Sequence, residues 1–333
     1  MKKKTEIDFL NTLFCLLVIF IHVMSAPVTA VDTENPLYPA VFLSWRLAAF
    51  VVQGFIFLSG MKLFLNYTPG RYVNYGKYYV SRLKKIVMPY VLCVILYYIY
   101  FCRNGYFSPD IFDLGAYIIR GDMVSHFYFV VIIVQLYFLR PLWEWALEKS
   151  KPGFLVLSAA AVTLAMPRIC GGFAYRDRLF VTYLIYWTGG CAAGAYYDKF
   201  KKWAEHHFGI VAAIFAVAAA CEAAVSYAGM VKKINMPYIE EMHIVYCVCA
   251  VMFAYSAALK TGGKIMRSRL MKEINGASYY IYLMHCLFIY IVNDLMARAG
   301  GFSVMQEFII RAVFTYTVSA AVCIAYVHAK KYV

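Results

Sequence analysis

Apolar stretches long enough to cross a lipid bilayer recur along the whole chain, and that recurrence leaves few folds open. Ten runs qualify, at 8–25, 41–64, 86–102, 126–142, 154–167, 179–197, 208–228, 242–259, 276–293 and 307–328, the fifth being the weakest. A spanning helix needs about 20 apolar residues. The runs are continuous rather than alternating, and inside lipid every backbone amide must find its partner within its own segment, so they read as helices and not as barrel strands. The expectation is an all-α polytopic membrane protein with about ten transmembrane helices, read as a single membrane domain over residues 1–333. Composition agrees, with 63% hydrophobic and 15% charged residues.

Loop cations set the expected orientation. With the N-terminus in the cytoplasm, twenty Lys and Arg, beginning with Lys2, Lys3 and Lys4, fall on cytoplasmic loops and eight on the opposite side. Both termini are therefore predicted to be cytoplasmic. Basic rims facing anionic membrane lipid account for most of the net charge of +14, so the charge calls for no nucleic-acid partner. No small-residue cleavage site follows the first apolar run, which reads as a retained helix.

Ionisable groups inside spans are costly, so each is a functional hypothesis. In NTLFCLLVIFIH, residues 11–22, Asn11 and His22 share one helical face at about 100° per residue, roughly 16 Å apart along the axis. His22, His126, His243 and His285 fall on four spans at overlapping depths, which suits a shared polar cavity; an interhelical hydrogen bond is the plainer account of any one of them. Zinc binding by these histidines is the weaker alternative, since no local chelating pair such as His-x3-His is present, and no metal is expected. Arg46 could offer a cation to an anionic or developing oxyanion group. Lys62 and Arg140 read as anchors that snorkel to the interface, and Glu222 and Arg311 as an interhelical pair or rim charges. In GFIFLSG, 54–60, Gly54, Ser59 and Gly60 allow close helix approach. Arg82 and Lys85 are three apart, just before Pro89, and suit a phosphate-rich cytosolic ligand such as a coenzyme A derivative.

Five segments, in order, resemble the acyltransferase type 3 family of integral membrane enzymes. IDFLNTLFCLLVIFIH at 7–22 resembles its Asp-x-Leu-Arg opening followed by His, and GFIFLSG its Phe-Phe-x-x-Ser-Gly segment. RLKKIVMPY at 82–90 is similar to its Arg-x-x-Arg segment followed by Pro. HFYFVVIIVQLYFLRP at 126–141 is similar to its His-x-Trp-Phe helix ending in Pro, and GASYYIYLMHCLFI at 276–289 to its Ser-x-x-Ile-Tyr-Leu-x-His helix. The resemblance implies transfer of an acyl group, usually acetyl, from cytoplasmic acetyl-CoA or another acyl-CoA to a hydroxyl of a glycan or lipid-linked sugar. The acyl-CoA is a cosubstrate, with no tightly bound cofactor. His22 falls on the family's catalytic histidine, Arg82 and Lys85 on its donor-side pair, and Asn11 where it has an arginine. His22 would act as general base or transient acyl acceptor. Arg46, Tyr128 and Tyr282 would stabilise the oxyanion or position the sugar, Ser59 would help position substrate, and His126 and His285 would orient His22. The competing expectation is a non-catalytic exporter or flippase-like protein for a polysaccharide or lipid-linked intermediate, prompted by the missing arginine at Asn11. Oligomeric state is not legible in the sequence.

Overall fold

The computed structural model describes residues 4–70, 73–231, 234 and 236–330; Lys2 and Lys3 lie outside them. Among the described residues there are helices and turns and no strand. In chain order the helices are α1 (Thr5–Ala30), α2 (Tyr38–Ala48), α3 (Val51–Phe64), α4 (Tyr75–Arg82), α5 (Met88–Arg103), α6 (Ile111–Arg120), α7 (Tyr128–Phe138) and α8 (Arg140–Lys149). They continue as α9 (Pro152–Ile169), α10 (Leu184–Ala195), α11 (Tyr197–His206), α12 (Phe208–Val231), α13 (Ile239–Ile265), α14 (Arg269–Ala299) and α15 (Val304–Ala329). The all-α polytopic class is borne out.

Eight stretches among the described residues are long and apolar enough to cross a membrane, and a ninth if α7 and α8 count as one bent span. Two of the ten expected runs therefore take a different form. The run 126–142 breaks at Leu139, where α7 and α8 meet at 57°. Pro141 sits in the first turn of α8, and its missing N–H prevents the ladder of α7 from continuing through it. The run 179–197 becomes a 3-10 turn, Phe180–Tyr183, followed by the 12 residues of α10, which reach only about 18 Å at 1.5 Å per residue.

Contacts divide the chain into two compact units, Met1–Phe55 with Asp198–Val333, and Ile56–Tyr197. In the first unit α1 packs on α2, α13, α14 and α15. Cys15, Ile19 and Val23 of α1 share a core with Ile274, Ala277, Ile281 and Ile289 of α14 and Cys323 of α15. Lipid removes the water-exclusion term between such helices, so van der Waals packing and buried hydrogen bonds hold them. Helices α1 and α14 run parallel, with Asn11 bonded to Ser278 and the ring of His22 beside that of His285. Helix α15 returns antiparallel: Tyr316 donates to the Leu16 carbonyl at 2.8 Å, and Lys330 at its end donates to the Tyr280 hydroxyl at 2.9 Å. Ser303 and Gln306 cap its start reciprocally.

In the second unit the last half of α3 meets α10 at van der Waals contact of the backbones. A Cβ on Gly190 would lie 2.1 Å from the Phe57 carbonyl oxygen, and one on Gly60 would lie 2.7 Å from that of Trp187. This is the close approach that GFIFLSG suggested. Between α4 and α5 the residues Leu83–Val87 form a π-helical turn, a local widening that recurs at functional sites.

Candidate active site

The first unit clasps α1 to α14 at two levels. Asn11 Nδ2 donates to Asn275 Oδ1 at 2.9 Å and to Ser278 Oγ at 2.6 Å. Three turns further along, the imidazoles of His22 and His285 stand 5.1 Å apart, centroid to centroid. The two polar ends of NTLFCLLVIFIH thus use the same neighbouring helix, as their common face requires.

His285 is fully buried and its tautomer follows from its partners. Its Nδ1 lies 2.7 Å from the Tyr282 carbonyl and 3.2 Å from that of Ile281. Carbonyl oxygens only accept, so Nδ1 carries the proton and Nε2 the lone pair. That Nε2 is 3.4 Å from Cys286 Sγ. Tyr282 packs its ring 6.0 Å from both Phe55 and His285. His22 itself is half-buried.

A second charged group in the same unit surrounds Glu222, which is fully buried. Its Oε1 accepts from Arg46 Nε at 2.7 Å, from Ser226 Oγ at 3.0 Å and from His243 Nδ1 at 2.9 Å. Arg46 is therefore neutralised by a carboxylate, and any contribution it makes to an oxyanion acts alongside that pair. His243 belongs to this cluster, its Nε2 lying 3.5 Å from Cys247 Sγ. Arg311 bonds Asn293 Oδ1 at 2.7 Å and Glu307 at 3.5 Å, so the interhelical ion pair of Glu222 is with Arg46 instead.

The second unit arranges the donor-side residues around tyrosines. The Arg82 guanidinium lies 4.6 Å from the Tyr137 ring centroid and 5.0 Å from that of Tyr78, stacked by cation–π attraction. Its Nε is buried with no hydrogen-bond partner among the described residues. Ser59 and Tyr137 share a hydrogen bond, which brings two of the expected site residues onto one tyrosine. A groove of about 400 Å³ opens here, lined by Arg82, Leu83, Ile86, Val134, Tyr137 and Phe138 among others. Lys85 is exposed on the π-helical turn, whose wider spacing carries it off the face that an α-helix would have shared with Arg82. Tyr128 is half-buried at the start of α7. His126 is buried, its ring 4.5 Å from that of Phe127 and 6.4 Å from that of Tyr97. Lys62 is exposed, whereas Arg140 pairs with Glu144 at 2.9 Å. Beside that pair a cavity of about 330 Å³ is lined by Asn66, Tyr67, Glu144 and Glu148 among others. Burial and the hydrogen bond to Glu148 hold the Tyr67 hydroxyl well above the usual phenol range.

The acyltransferase domain model of the type 3 family matches residues 4–328. The chain belongs to the acyltransferase type 3 family. It is similar, at 23% identity over 327 residues, to a protein named probable poly-beta-1,6-N-acetyl-D-glucosamine export protein in Staphylococcus aureus strains MW2 and N315, the match covering 91% of this chain and 86% of the relative. No solved structure matches it. With its run of apolar helices and bacterial relatives, this member of the family is a multi-pass bacterial membrane protein.

His22, expected as the catalytic histidine, has the buried imidazole of His285 beside it, and Arg82, expected on the donor side, lies between two aromatic rings. Sequence reasoning missed Asn275, Ser278, Tyr78, Tyr137 and Cys286. Of these Ser278 stood at a named position of a quoted motif and Tyr137 and Cys286 at unnamed ones, and apart from Ser278 they are ordinary residues for membrane helices until the packing partners are known.

Proposed function

We propose that the protein is a membrane O-acyltransferase that moves an acyl group, acetyl by the family resemblance, from acyl-CoA to a hydroxyl of a glycan or lipid-linked sugar. The observation that carries this reading is the His22–His285 pair, with His285 Nδ1 held by two backbone carbonyls. An imidazole whose lone-pair nitrogen is fixed in place can accept the other ring's N–H and so set the tautomer of His22. His22 then takes the proton of the attacking sugar hydroxyl as its oxygen bonds to the thioester carbon. The carbon–sulfur bond breaks and the coenzyme A thiolate leaves with that proton. Transient acylation of His22 is the variant in which its nitrogen attacks first. Arg82 binds the donor's phosphates, with Ser59 and Tyr137 shaping the approach and Lys85 adding positive potential from the exposed π-helical turn; Arg46 lends positive potential through its pair with Glu222.

Donor turnover by purified protein in nanodiscs, with labelled acetyl-CoA and lipid-linked N-acetylglucosamine oligomers, tests the proposal. His22→Ala should lower turnover by about 10²- to 10⁴-fold while the protein keeps its melting temperature. Turnover unchanged in that variant would remove the base. The relatives' printed names favour a second reading, export of such a glycan, and Asn11 supports it because its amide is bonded to Asn275 and Ser278. Vectorial movement of the glycan without thioester cleavage would establish that alternative.

A further inference from the structure

The candidate active site holds one nucleophilic group that the proposed chemistry does not use. Cys286 follows His285 directly in the sequence, is buried, and has its Sγ 3.4 Å from the lone-pair nitrogen of His285. One donor atom from each of His22, His285 and Cys286 lies within 4.8 Å of the others. We propose that these three residues form a zinc site, and that zinc bound there holds the reactive imidazole off its substrate. The inhibition rests on His22 being the base of the preceding reading; the metal binding does not.

Donor chemistry selects the ion. Two imidazoles and a thiolate form a nitrogen and sulfur set with no carboxylate, which suits zinc and excludes calcium and magnesium. At zinc–nitrogen bonds of about 2.0–2.1 Å and zinc–sulfur bonds of about 2.3 Å, the edges of a tetrahedron are roughly 3.3–3.6 Å. The Cys286–His285 separation of 3.4 Å already equals such an edge. Closing the set requires only that His22, from α1, move inward by a fraction of its side-chain reach.

The supporting shell is in place. A ligating histidine characteristically donates its other ring N–H to a carbonyl, and His285 gives its Nδ1–H to Tyr282 and Ile281. His285 and Cys286 are buried and His22 is half-buried, so the ion would be held largely out of solvent. Three nitrogen and sulfur ligands are enough to hold zinc, which takes a fourth ligand to complete its tetrahedron. On binding, the thiol proton leaves to solvent, two imidazole lone pairs and the thiolate form bonds to the metal, and nothing is oxidised or reduced.

The sequence concealed this set because its close pair is His-Cys at adjacent positions, which point about 100° apart on a helix, and its third ligand comes from α1.

The test uses full-length protein in nanodiscs, stripped with a chelator and titrated with Zn²⁺ or Co²⁺. One equivalent of zinc should bind and slow alkylation of Cys286 as read by peptide mass spectrometry. Cobalt should give a near-ultraviolet thiolate charge-transfer band. Cys286→Ala should abolish the band and weaken zinc binding by more than about tenfold; Cys286→Ser, closer in size, should do the same, and Cys323→Ala, in a core thiol elsewhere, should leave both unchanged. Zinc should inhibit donor turnover in the parent and not in Cys286→Ala. A cobalt complex without the thiolate band, or zinc affinity unchanged in both Cys286 variants, would overturn the site. The band without donor turnover in any variant would leave the metal site standing and overturn the acyltransferase reading; turnover without the band would do the reverse.

Discussion

Asn11 and His22 began as a matched pair of polar residues on one helix face, and their neighbours separate their roles. The amide of Asn11 spends its donors on Asn275 and Ser278, so it joins α1 to α14 at a level where the family carries a cation. Asn11→Ala should lower stability by roughly 0.6–1.7 kcal/mol, the range of interhelical hydrogen bonds in membranes. The measurement is the thermal midpoint in detergent. Asn11→Arg restores the family's residue but forces a longer charged side chain between α1 and α14. It should also lower the midpoint without raising donor turnover; higher turnover would show that catalysis here lacks that cation. That His22 would have a histidine neighbour was legible from motif order, with His126 and His285 as the two candidates; which of them lies on the helix next to α1 was not. That of Arg46 with Glu222 was only one of the options, because no local pattern says that α2 will lie against α12. Cys286 carried no signal of its own, as a buried thiol in a span is an ordinary small hydrophobe.

At the scale of the element, hydropathy located the helices but did not show which apolar runs stay one continuous helix. Residues 179–197 read as a span because they are apolar, yet their helical part is α10, of 12 residues. What distinguishes it is glycine: Gly190 lets the backbone of α10 approach that of α3, where a single added methyl would sit 2.1 Å from the Phe57 carbonyl. Gly190→Ala must push two backbones apart, and should cost roughly 1–3 kcal/mol as overpacking does. Gly209 on α12 has nothing within 4 Å of its added Cβ, so Gly209→Ala should leave the melting temperature unchanged or raise it. A common response of the two variants would show that the Gly190 effect is one of helix propensity and not of contact. The break at Leu139 was legible in principle, as Pro141 cannot extend the helix that precedes it. The π-helical turn at Leu83–Val87 was not, since neither its charges nor its apolar residues differ from those of an α-helical stretch.

For the whole molecule, the geometry of the first unit restricts how often the chain crosses the bilayer. The start of α1 and the end of α15 both meet the early part of α14, through Asn11 with Ser278 and Lys330 with Tyr280. Since α14 is parallel to α1, the chain between them must make an odd number of crossings. Among the described residues, five stretches there are long and apolar enough unaided: Tyr38–Phe64, Tyr75–Arg103, Pro152–Ile169, Phe208–Val231 and Ile239–Ile265. Adding the bent α7–α8 pair alone would make the number even. The bent pair and the segment containing α10 therefore cross together or not at all, giving ten crossings or eight, and in both cases the termini share a face. The excess of loop cations predicts that this face is the cytoplasm, and Lys149 and Lys151 predict the same for the α8–α9 turn, an arrangement that would correspond to ten crossings. Reporter tags at the N-terminus, the C-terminus and Ser150 should all be accessible only from the cytoplasmic side. A Ser150 tag on the outer face with both termini inside would establish eight crossings and leave the bent pair and α10 as membrane-embedded elements that do not traverse. Termini on opposite faces would contradict the parallel register of α1 and α14, and with it the pairing of His22 and His285.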